Sequence, residues 1–265
     1  MNLFYRKYGD QGPPLFILHG LFGQSDNWQS HAKTIATWGF EVYVVDLRNH
    51  GMSPHAEAFN YTVMAEDLME LMDTLQLGQI SLMGHSMGGK AALTFANNFP
   101  ERVQALIIID IGLKYYPPHH QQIIAALQAV NFETVNTRKQ AHDILSTYID
   151  EEATKQFLLK NIYWKSDEVL DWRFNLPVIA NAIDEVGAEI VVAANKLLKR
   201  HPMLFVYGEN SSYIQEADKI NIMETLPNAT LVGIPHAGHW VHVENPKDFI
   251  GTIHNYLILQ STNKP

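Results

Sequence analysis

The 265-residue chain contains no cysteine, which excludes disulfides, thiolate nucleophiles and zinc sites built from thiolates. It has no apolar run of about 18 residues, the length of a membrane-spanning helix, and its first residues lack the apolar core of a secretory signal peptide. Basic residues are few, since 19 lysines and arginines stand against 28 acidic residues, and they form no cluster. We therefore expect no nucleic-acid partner, no stable membrane insertion and a cytoplasmic location.

The chain does contain enough apolar sequence for a large core, because 46% of its residues are hydrophobic. Six short runs rich in β-branched residues predict buried strands at residues 14–18, 41–45, 79–83, 103–109, 203–206 and 229–234. Segments with helical spacing separate the early runs, at residues 28–38, 61–77 and 87–98. This alternation predicts an α/β fold with a parallel sheet that helices cover on both faces.

The alternation of strands and helices stops after Asp110. Residues 111–200 carry helical patterns, such as 121–130 and 138–149, and no convincing strand follows before residue 203. Prolines near both ends of this stretch mark hinges, because proline and the residue before it disfavour helix. We predict a core domain formed by residues 1–110 and 201–265, with residues 111–200 as a helical cap insertion.

The sequence Gly84-His85-Ser86-Met87-Gly88 directly follows a predicted strand and precedes a helical segment. This is the context of the G-x-S-x-G turn, in which a strained strand-to-helix connection projects a serine hydroxyl into a cleft. The two glycines remove Cβ atoms that would collide with the neighbouring strand and helix. We therefore predict Ser86 as a nucleophile, with a glycine-rich turn and an incidental serine as the alternative.

The same segment also fits a phosphate-binding loop, because Gly84, Gly89 and Lys90 match the pattern G-x-x-x-x-G-K. The next residue of that motif must be Ser or Thr to bind magnesium, and here it is Ala91. A nucleotide site is therefore disfavoured. Lys90 is interpreted as a cation on a helix face with no role in the chemistry.

A nucleophilic serine needs a base, and His236, His239 and His242 follow the last predicted strand. We predict His239 as the base, because Gly238 lets the loop bend tightly ahead of the final helical segment at residues 246–257. The other two are expected to be structural or surface histidines. No metal is expected, because the three histidines lack the H-E-x-x-H spacing and a neighbouring carboxylate ligand.

The tetrahedral intermediate of such a reaction needs hydrogen-bond donors for its oxyanion, and these are usually backbone amides. Residues 19–23, with sequence HGLFG, follow the first predicted strand and can turn over the same sheet edge as Ser86. The N–H groups of Leu21 and Met87 are the predicted donor pair. A simple glycine turn with apolar side chains in the core is compatible with this role, because backbone donors do not depend on side-chain identity.

Together these segments resemble the α/β-hydrolase superfamily. The sequence DLRNHGMS at residues 46–53, with residues 84–90 and 238–242, is similar to the YbfF-like esterases. The resemblance extends over most of the chain and implies an eight-stranded, mostly parallel sheet with a helical cap inserted after the sixth strand. It also implies hydrolysis of acyl esters, including acyl thioesters, and no cofactor is expected.

The position of the catalytic acid departs from the pattern of many relatives, which place it three residues after the glycine that ends the seventh strand. Here Ser211 occupies that position. Members similar to this chain use an aspartate at the end of the sixth strand, and Asp110 matches it, although Glu209 is also possible by chain order. We predict Asp110, because the implied sheet order places its strand beside that of Ser86 and a buried charge needs a hydrogen-bonded partner. A role in anchoring a loop is the alternative.

The resulting hypothesis is a serine hydrolase whose serine attacks an acyl carbonyl, whose histidine moves the proton and whose aspartate orients the imidazole. The expected partner is a small-molecule acyl ester or thioester. Substrate choice is assigned mainly to the cap, and Trp164, Trp172 and Trp240 are the predicted substrate-binding residues. Packing within the cap is the alternative role for its aromatic residues. Residues 172–175 also resemble the family, and a role in anchoring the cap is as good an interpretation of them as a role in substrate binding.

Three other functions compete with this hypothesis. Dehalogenases and epoxide hydrolases of this fold need a carboxylate nucleophile where Ser86 stands, which disfavours them. A C–C bond hydrolase or a lyase with the same triad is the enzymatic alternative, and a non-catalytic ligand receptor is the alternative from another class. The intact serine, histidine and acid argue against the receptor. The sequence indicates neither an acyl length nor an oligomeric state.

Overall fold

The computed structural model describes residues 1–118, 120–192 and 201–262. The strands are β1 (Tyr5–Tyr8), β2 (Pro14–Leu18), β3 (Glu41–Val45), β4 (Ile80–His85), β5 (Val103–Ile109), β6 (Ile162–Ser166), β7 (Val169–Trp172), β8 (Met203–Gly208) and β9 (Ala229–Ile234). The α-helices are α1 (Gln29–Ala36), α2 (Tyr61–Thr74), α3 (Met87–Asn98), α4 (Gln121–Ala129), α5 (Arg138–Leu145), α6 (Glu152–Leu159), α7 (Leu176–Asn181), α8 (Ile183–Val186), α9 (Glu216–Thr225), α10 (Val241–Glu244) and α11 (Pro246–Thr262).

The main sheet has the strand order β1-β3-β2-β4-β5-β8-β9. Strand β1 pairs with β3 in the antiparallel direction, and the other pairs are parallel. The predicted α/β fold with a mostly parallel sheet is confirmed, but the described residues supply seven strands to this sheet where eight were expected. Strand β1 was not predicted, because this short edge strand is half-exposed and its central Arg6 and Lys7 interrupt the apolar pattern.

Helices cover both faces of the sheet, which explains why its central strands are continuously apolar. In β2, Phe16 and Leu18 belong to the hydrophobic cluster that includes α2 and α3. The alternate residues Leu15 and Ile17 belong to the cluster on the opposite face, with α1 and α11. All four side chains are fully buried. Because the strands are parallel, their carboxyl ends lie at one edge of the sheet, where the turns after them come together.

The described residues between positions 111 and 192 add no strand to the main sheet. They contain α4 and α5, close to their predicted positions, but also the antiparallel hairpin β6–β7, so the expectation of helices alone was wrong. The hairpin was missed because its buried apolar residues, Ile162, Leu170 and Trp172, are separated by polar and solvent-exposed residues, so they form no continuous apolar run. Residues 193–200, with the predicted end of the cap, lie outside the described residues, and the domain boundaries stay a prediction.

No helix within the described ranges is long and apolar enough to cross a lipid bilayer.

Candidate active site

Ser86 lies on a sharp turn between β4 and α3. Its backbone angles, φ 52° and ψ −117°, lie outside the regions that residues with side chains ordinarily occupy. The flanking glycines are required by close contacts, because a Cβ on Gly84 would lie 2.2 Å from the Gly88 carbonyl oxygen. A Cβ on Gly88 would lie 2.4 Å from the Leu18 carbonyl oxygen. The local sequence therefore produces the strained turn that was predicted.

The residue after β5 comes out at the same sheet edge as Ser86, because β4 and β5 pair in parallel. That residue is Asp110, which is 1% exposed. His239 Nδ1 donates a hydrogen bond of 2.7 Å to its Oδ2. The Ser211 hydroxyl donates to the same oxygen, and the Gly208 N–H donates to Oδ1 at 3.1 Å. The structure thus brings the predicted acid into contact with the predicted base.

The charge on Asp110 determines which nitrogen of His239 carries the ring proton. Burial raises the pKa of Asp110 to about 6, and the hydrogen bonds from Ser211 and Gly208 act in the opposite direction. Near neutral pH the ionised carboxylate accepts the Nδ1–H of His239, which leaves Nε2 unprotonated and able to take a proton. The ring of Tyr213 stacks on the imidazole, with centroids 3.8 Å apart and an interplanar angle of 13°, and holds its plane.

The loop that carries His239 is held by two further side chains. Nε2 of His85 donates to the His239 carbonyl oxygen at 2.9 Å, and burial lowers the pKa of His85 to about 3, so this ring stays neutral. The Glu244 carboxylate accepts the N–H groups of Gly238 at 2.7 Å and Trp240 at 3.1 Å. The residues on both sides of His239 are therefore fixed through one carboxylate. The sequence analysis assigned no role to His85 or Glu244.

Two buried histidines connect residues 46–53 to residues 19–23. His50 Nε2 accepts the N–H of Phe22 at 3.1 Å, and His19 Nε2 accepts the N–H of Leu47 at 3.0 Å. Burial lowers the pKa of both rings, to about 3 for His50, so each keeps an unprotonated nitrogen for this purpose. The motif DLRNHGMS therefore serves to shape the loop beside Ser86.

The predicted oxyanion donors lie next to the serine. Leu21 and Met87 line a small pocket together with Ser86, and a Cβ on Gly20 would lie 3.5 Å from the Ser86 Cβ. Within the described part of the chain, the N–H groups of Leu21 and Met87 have no hydrogen-bond partner. Two free backbone donors beside a serine are what a developing oxyanion requires.

A cavity of about 840 Å³ opens above Ser86 and His239. Helix α6, the loop 19–23 and the residues after His239 form its walls. Trp240 lines this cavity, and its ring lies 5.2 Å from that of Phe157 on α6, measured between centroids. One of the three predicted substrate-binding tryptophans therefore lies at the site.

The other two predicted tryptophans do not line the cavity of Ser86. Trp164 is 59% exposed and lies in the solvent-exposed second half of β6. Trp172 is buried and stacks on Phe174 at 5.3 Å, so it packs within the cap. The Asn175 N–H donates to the Asn49 carbonyl oxygen at 2.9 Å, which favours the anchoring interpretation of residues 172–175.

The remaining candidates from the sequence lie away from the Asp110 carboxylate. Glu209 is exposed and packs beside Gly233. His236 is exposed as well, whereas His242 is buried and stacks on Trp28 with centroids 4.1 Å apart. His236 is thus a surface residue and His242 a structural one, as expected.

Lys90 is fully buried, which its interpretation as a cation on a helix face did not anticipate. Its Nζ donates to the carbonyl oxygens of Lys114 at 2.8 Å and Gly187 at 3.1 Å, and also to that of Ala188. It lies 4.8 Å from the centre of the Tyr116 ring. Burial lowers the pKa of Lys90 to about 7. The amine connects α3 to the cap segment.

Comparisons with known proteins agree with this architecture. Residues 13–246 match the family model described as alpha/beta hydrolase fold. The chain is 37% identical to Esterase YbfF of Escherichia coli strain K12 over 246 residues. The matched stretch covers 92% of each chain. The chain is 35% identical to the sn-1-specific diacylglycerol lipase ABHD11 of Danio rerio, over 97% of this chain and 83% of the relative. A solved structure, Marine microorganism esterase, superposes with a TM-score of 0.92 at 42% identity, covering 96% of this chain and 98% of that one.

The fold, the strained serine turn and these similarities define one class of protein. The chain belongs to the α/β-hydrolase family. Within that family it resembles the YbfF-like esterases.

Proposed function

We propose that this carboxylic ester hydrolase works through an acyl-enzyme intermediate on Ser86, with His239 as the general base and Asp110 as the acid that orients it. The observation that carries the proposal is the 2.7 Å hydrogen bond from His239 Nδ1 to Asp110 Oδ2, at a cavity that Ser86 also lines. The bond leaves Nε2 as the basic nitrogen of a histidine that shares the cavity with a strained serine.

In the proposed reaction Ser86 Oγ attacks the acyl carbon while Nε2 of His239 takes the hydroxyl proton. The N–H groups of Leu21 and Met87 stabilise the oxyanion of the tetrahedral intermediate. The intermediate collapses, the bond to the leaving alcohol or thiol breaks, and the imidazolium returns its proton to that group. Water then attacks the acyl-enzyme with the same base, which releases the carboxylic acid and restores Ser86.

The proposed substrate is a small-molecule acyl ester or acyl thioester with an apolar acyl group. The size of the cavity and the side chains of Phe22, Phe157, Leu158 and Trp240 in its lining support this class. The relatives named esterase and diacylglycerol lipase also support ester substrates. A cytoplasmic location stays a prediction from the sequence.

The test combines a covalent label with turnover of graded substrates. A fluorophosphonate should add one label to the wild-type protein, and peptide mapping should place it on Ser86, because only an activated hydroxyl facing an oxyanion hole reacts readily. A panel of p-nitrophenyl esters and acyl thioesters of increasing acyl length should be hydrolysed by the wild type. Ser86→Ala should lose both labelling and turnover.

Ser212→Ala is the matched control, because Ser212 is exposed and should leave both measurements unchanged. Labelling or ester turnover that persists in folded Ser86→Ala would refute the proposal. A ligand receptor would differ from the enzyme by hydrolysing no ester at any concentration.

A further inference from the structure

Ser211 occupies the first turn after β8, where its N–H donates to the Gly208 carbonyl oxygen at 3.0 Å. Its hydroxyl oxygen accepts the N–H of Tyr213 at 3.2 Å. A serine hydroxyl has one proton, and here that proton is donated to Oδ2 of Asp110. The backbone thus orients the hydroxyl towards the carboxylate.

The oxygen that receives the Ser211 hydroxyl also receives Nδ1 of His239. Ser211 does not line the cavity above Ser86, whereas Tyr213 does. Ser211 therefore has no direct contact with a substrate in this cavity. Any effect on the reaction must pass through Asp110 or through the Tyr213 ring that stacks on His239.

We propose that Ser211 is a positioning residue that keeps the Asp110 carboxylate ionised and turned towards His239. The proposal rests on the proposed function, since it assigns a task to a neighbour of the proposed acid. Charge-assisted hydrogen bonds of this kind are stronger than those between neutral groups, and they matter most for a carboxylate as buried as Asp110.

The expected pH dependence follows from the groups that face Asp110. The titratable ones are His239 and His85, with the rings of Tyr116 and Tyr213. Burial already raises the pKa of the carboxyl, and the Ser211 hydroxyl is the largest of the contributions that oppose it. Without the hydroxyl the pKa rises further, so the carboxyl is protonated at a higher pH and stops accepting Nδ1–H.

The productive form of the Asp110–His239 pair needs an ionised carboxylate and a neutral imidazole, and its apparent pKa values belong to the pair. Loss of the hydroxyl should therefore move the acid limb of the kcat/KM profile to higher pH. A residue that only shapes the turn would lower stability or activity without moving that limb.

The test compares Ser211→Thr with Ser211→Val, two variants of nearly equal shape that differ in the hydroxyl. Profiles of kcat and kcat/KM against pH are measured with a short-chain p-nitrophenyl ester, and thermal unfolding checks the fold. For Ser211→Val we expect the acid limb to rise by about one pH unit, so that kcat/KM falls about tenfold on the acid side of the limb and only about twofold at neutral pH, with little change in KM. Ser211→Thr should follow the wild type, as should Ser212→Ala.

An acid limb at the wild-type position in folded Ser211→Val would overturn the inference, and so would equal losses in the Thr and Val variants. Failure of the proposed function is distinguishable, because it appears as turnover in Ser86→Ala. If Ser86→Ala is inactive and the Val variant keeps the wild-type profile, the nucleophile stands and the role of Ser211 alone is refuted.

Discussion

Replacing Asp110 by asparagine removes the charge beside His239 while keeping the size of the side chain. The Gly208 N–H donates to Oδ1 at 3.1 Å, whereas Oδ2 accepts from His239 Nδ1 at 2.7 Å and from the rotatable Ser211 hydroxyl. An amide offers one oxygen, and the backbone N–H of Gly208 cannot turn away, so the asparagine oxygen faces Gly208 and its NH₂ faces the imidazole. Nδ1 must then accept, and the ring proton moves to Nε2, where it blocks proton transfer from Ser86.

A histidine in the wrong tautomer lowers turnover by about 10⁴-fold when the remaining geometry is intact, which corresponds to about 5 kcal/mol of activation free energy. We therefore expect Asp110→Asn to lower kcat by about 10³- to 10⁴-fold. KM should change by no more than about threefold, because Asp110 is buried and does not line the cavity. Steady-state kinetics on a p-nitrophenyl ester measure both, and circular dichroism checks the fold.

Glu209→Gln is the matched control for the choice of acid. Glu209 follows β8, is exposed and should stay within about twofold of the wild-type kcat. The reasoning is refuted if folded Asp110→Asn keeps more than about a tenth of the wild-type kcat. A larger loss in Glu209→Gln than in Asp110→Asn would instead place the acid after β8.

Two further predictions concern the cavity wall and the cap. Trp240→Ala removes the ring contact with Phe157 and should lower kcat/KM for long-chain esters by about 2- to 10-fold relative to an acetate ester. Exposed Trp164 serves as its control, since Trp164→Ala should leave the chain-length profile unchanged, and an equal loss at every length in Trp240→Ala would contradict the prediction. Lys90→Met deprives carbonyl groups of the cap of their buried donor, so the free energy of unfolding measured in urea should fall by about 1–3 kcal/mol. In the same variant KM should rise by a larger factor than kcat falls. Exposed Lys33→Met should change neither quantity, and an unchanged stability and KM in Lys90→Met would show that the amine does not hold the cap.

The serine turn could be predicted because the residues that mark it lie close together in the sequence. Gly84 and Gly88 lie two residues from Ser86, and the contacts that exclude a Cβ at each glycine involve the same turn or the adjacent strand. The central strands were equally visible, because burial on both faces demands continuous apolar sequence. Both signals depend on residues within a few positions of one another.

The environment of Lys90 could not be predicted, because its partners come from distant parts of the chain. The carbonyl groups that accept its hydrogen bonds belong to residues 24, 97 and 98 positions away. They are backbone atoms, so no side chain near them reveals the contact in the sequence. A lysine on an amphipathic helix and a lysine clamped under a cap have the same local pattern.

The choice of acid shows how a single side chain can carry information that chain order lacks. Strands β5 and β8 are neighbours in the sheet, so Asp110 and Ser211 emerge at one edge, where the Ser211 hydroxyl and His239 Nδ1 share one oxygen of the Asp110 carboxylate. A carboxylate in either position would lie near His239, and spacing alone cannot rank the two. A serine at position 211 cannot supply a charge, but it can donate a hydrogen bond. With a serine at this position, the acid must come from the neighbouring strand, and the serine hydroxyl donates a hydrogen bond to it. The Asp110→Asn variant tests the acid, and the Ser211→Val variant tests the donor.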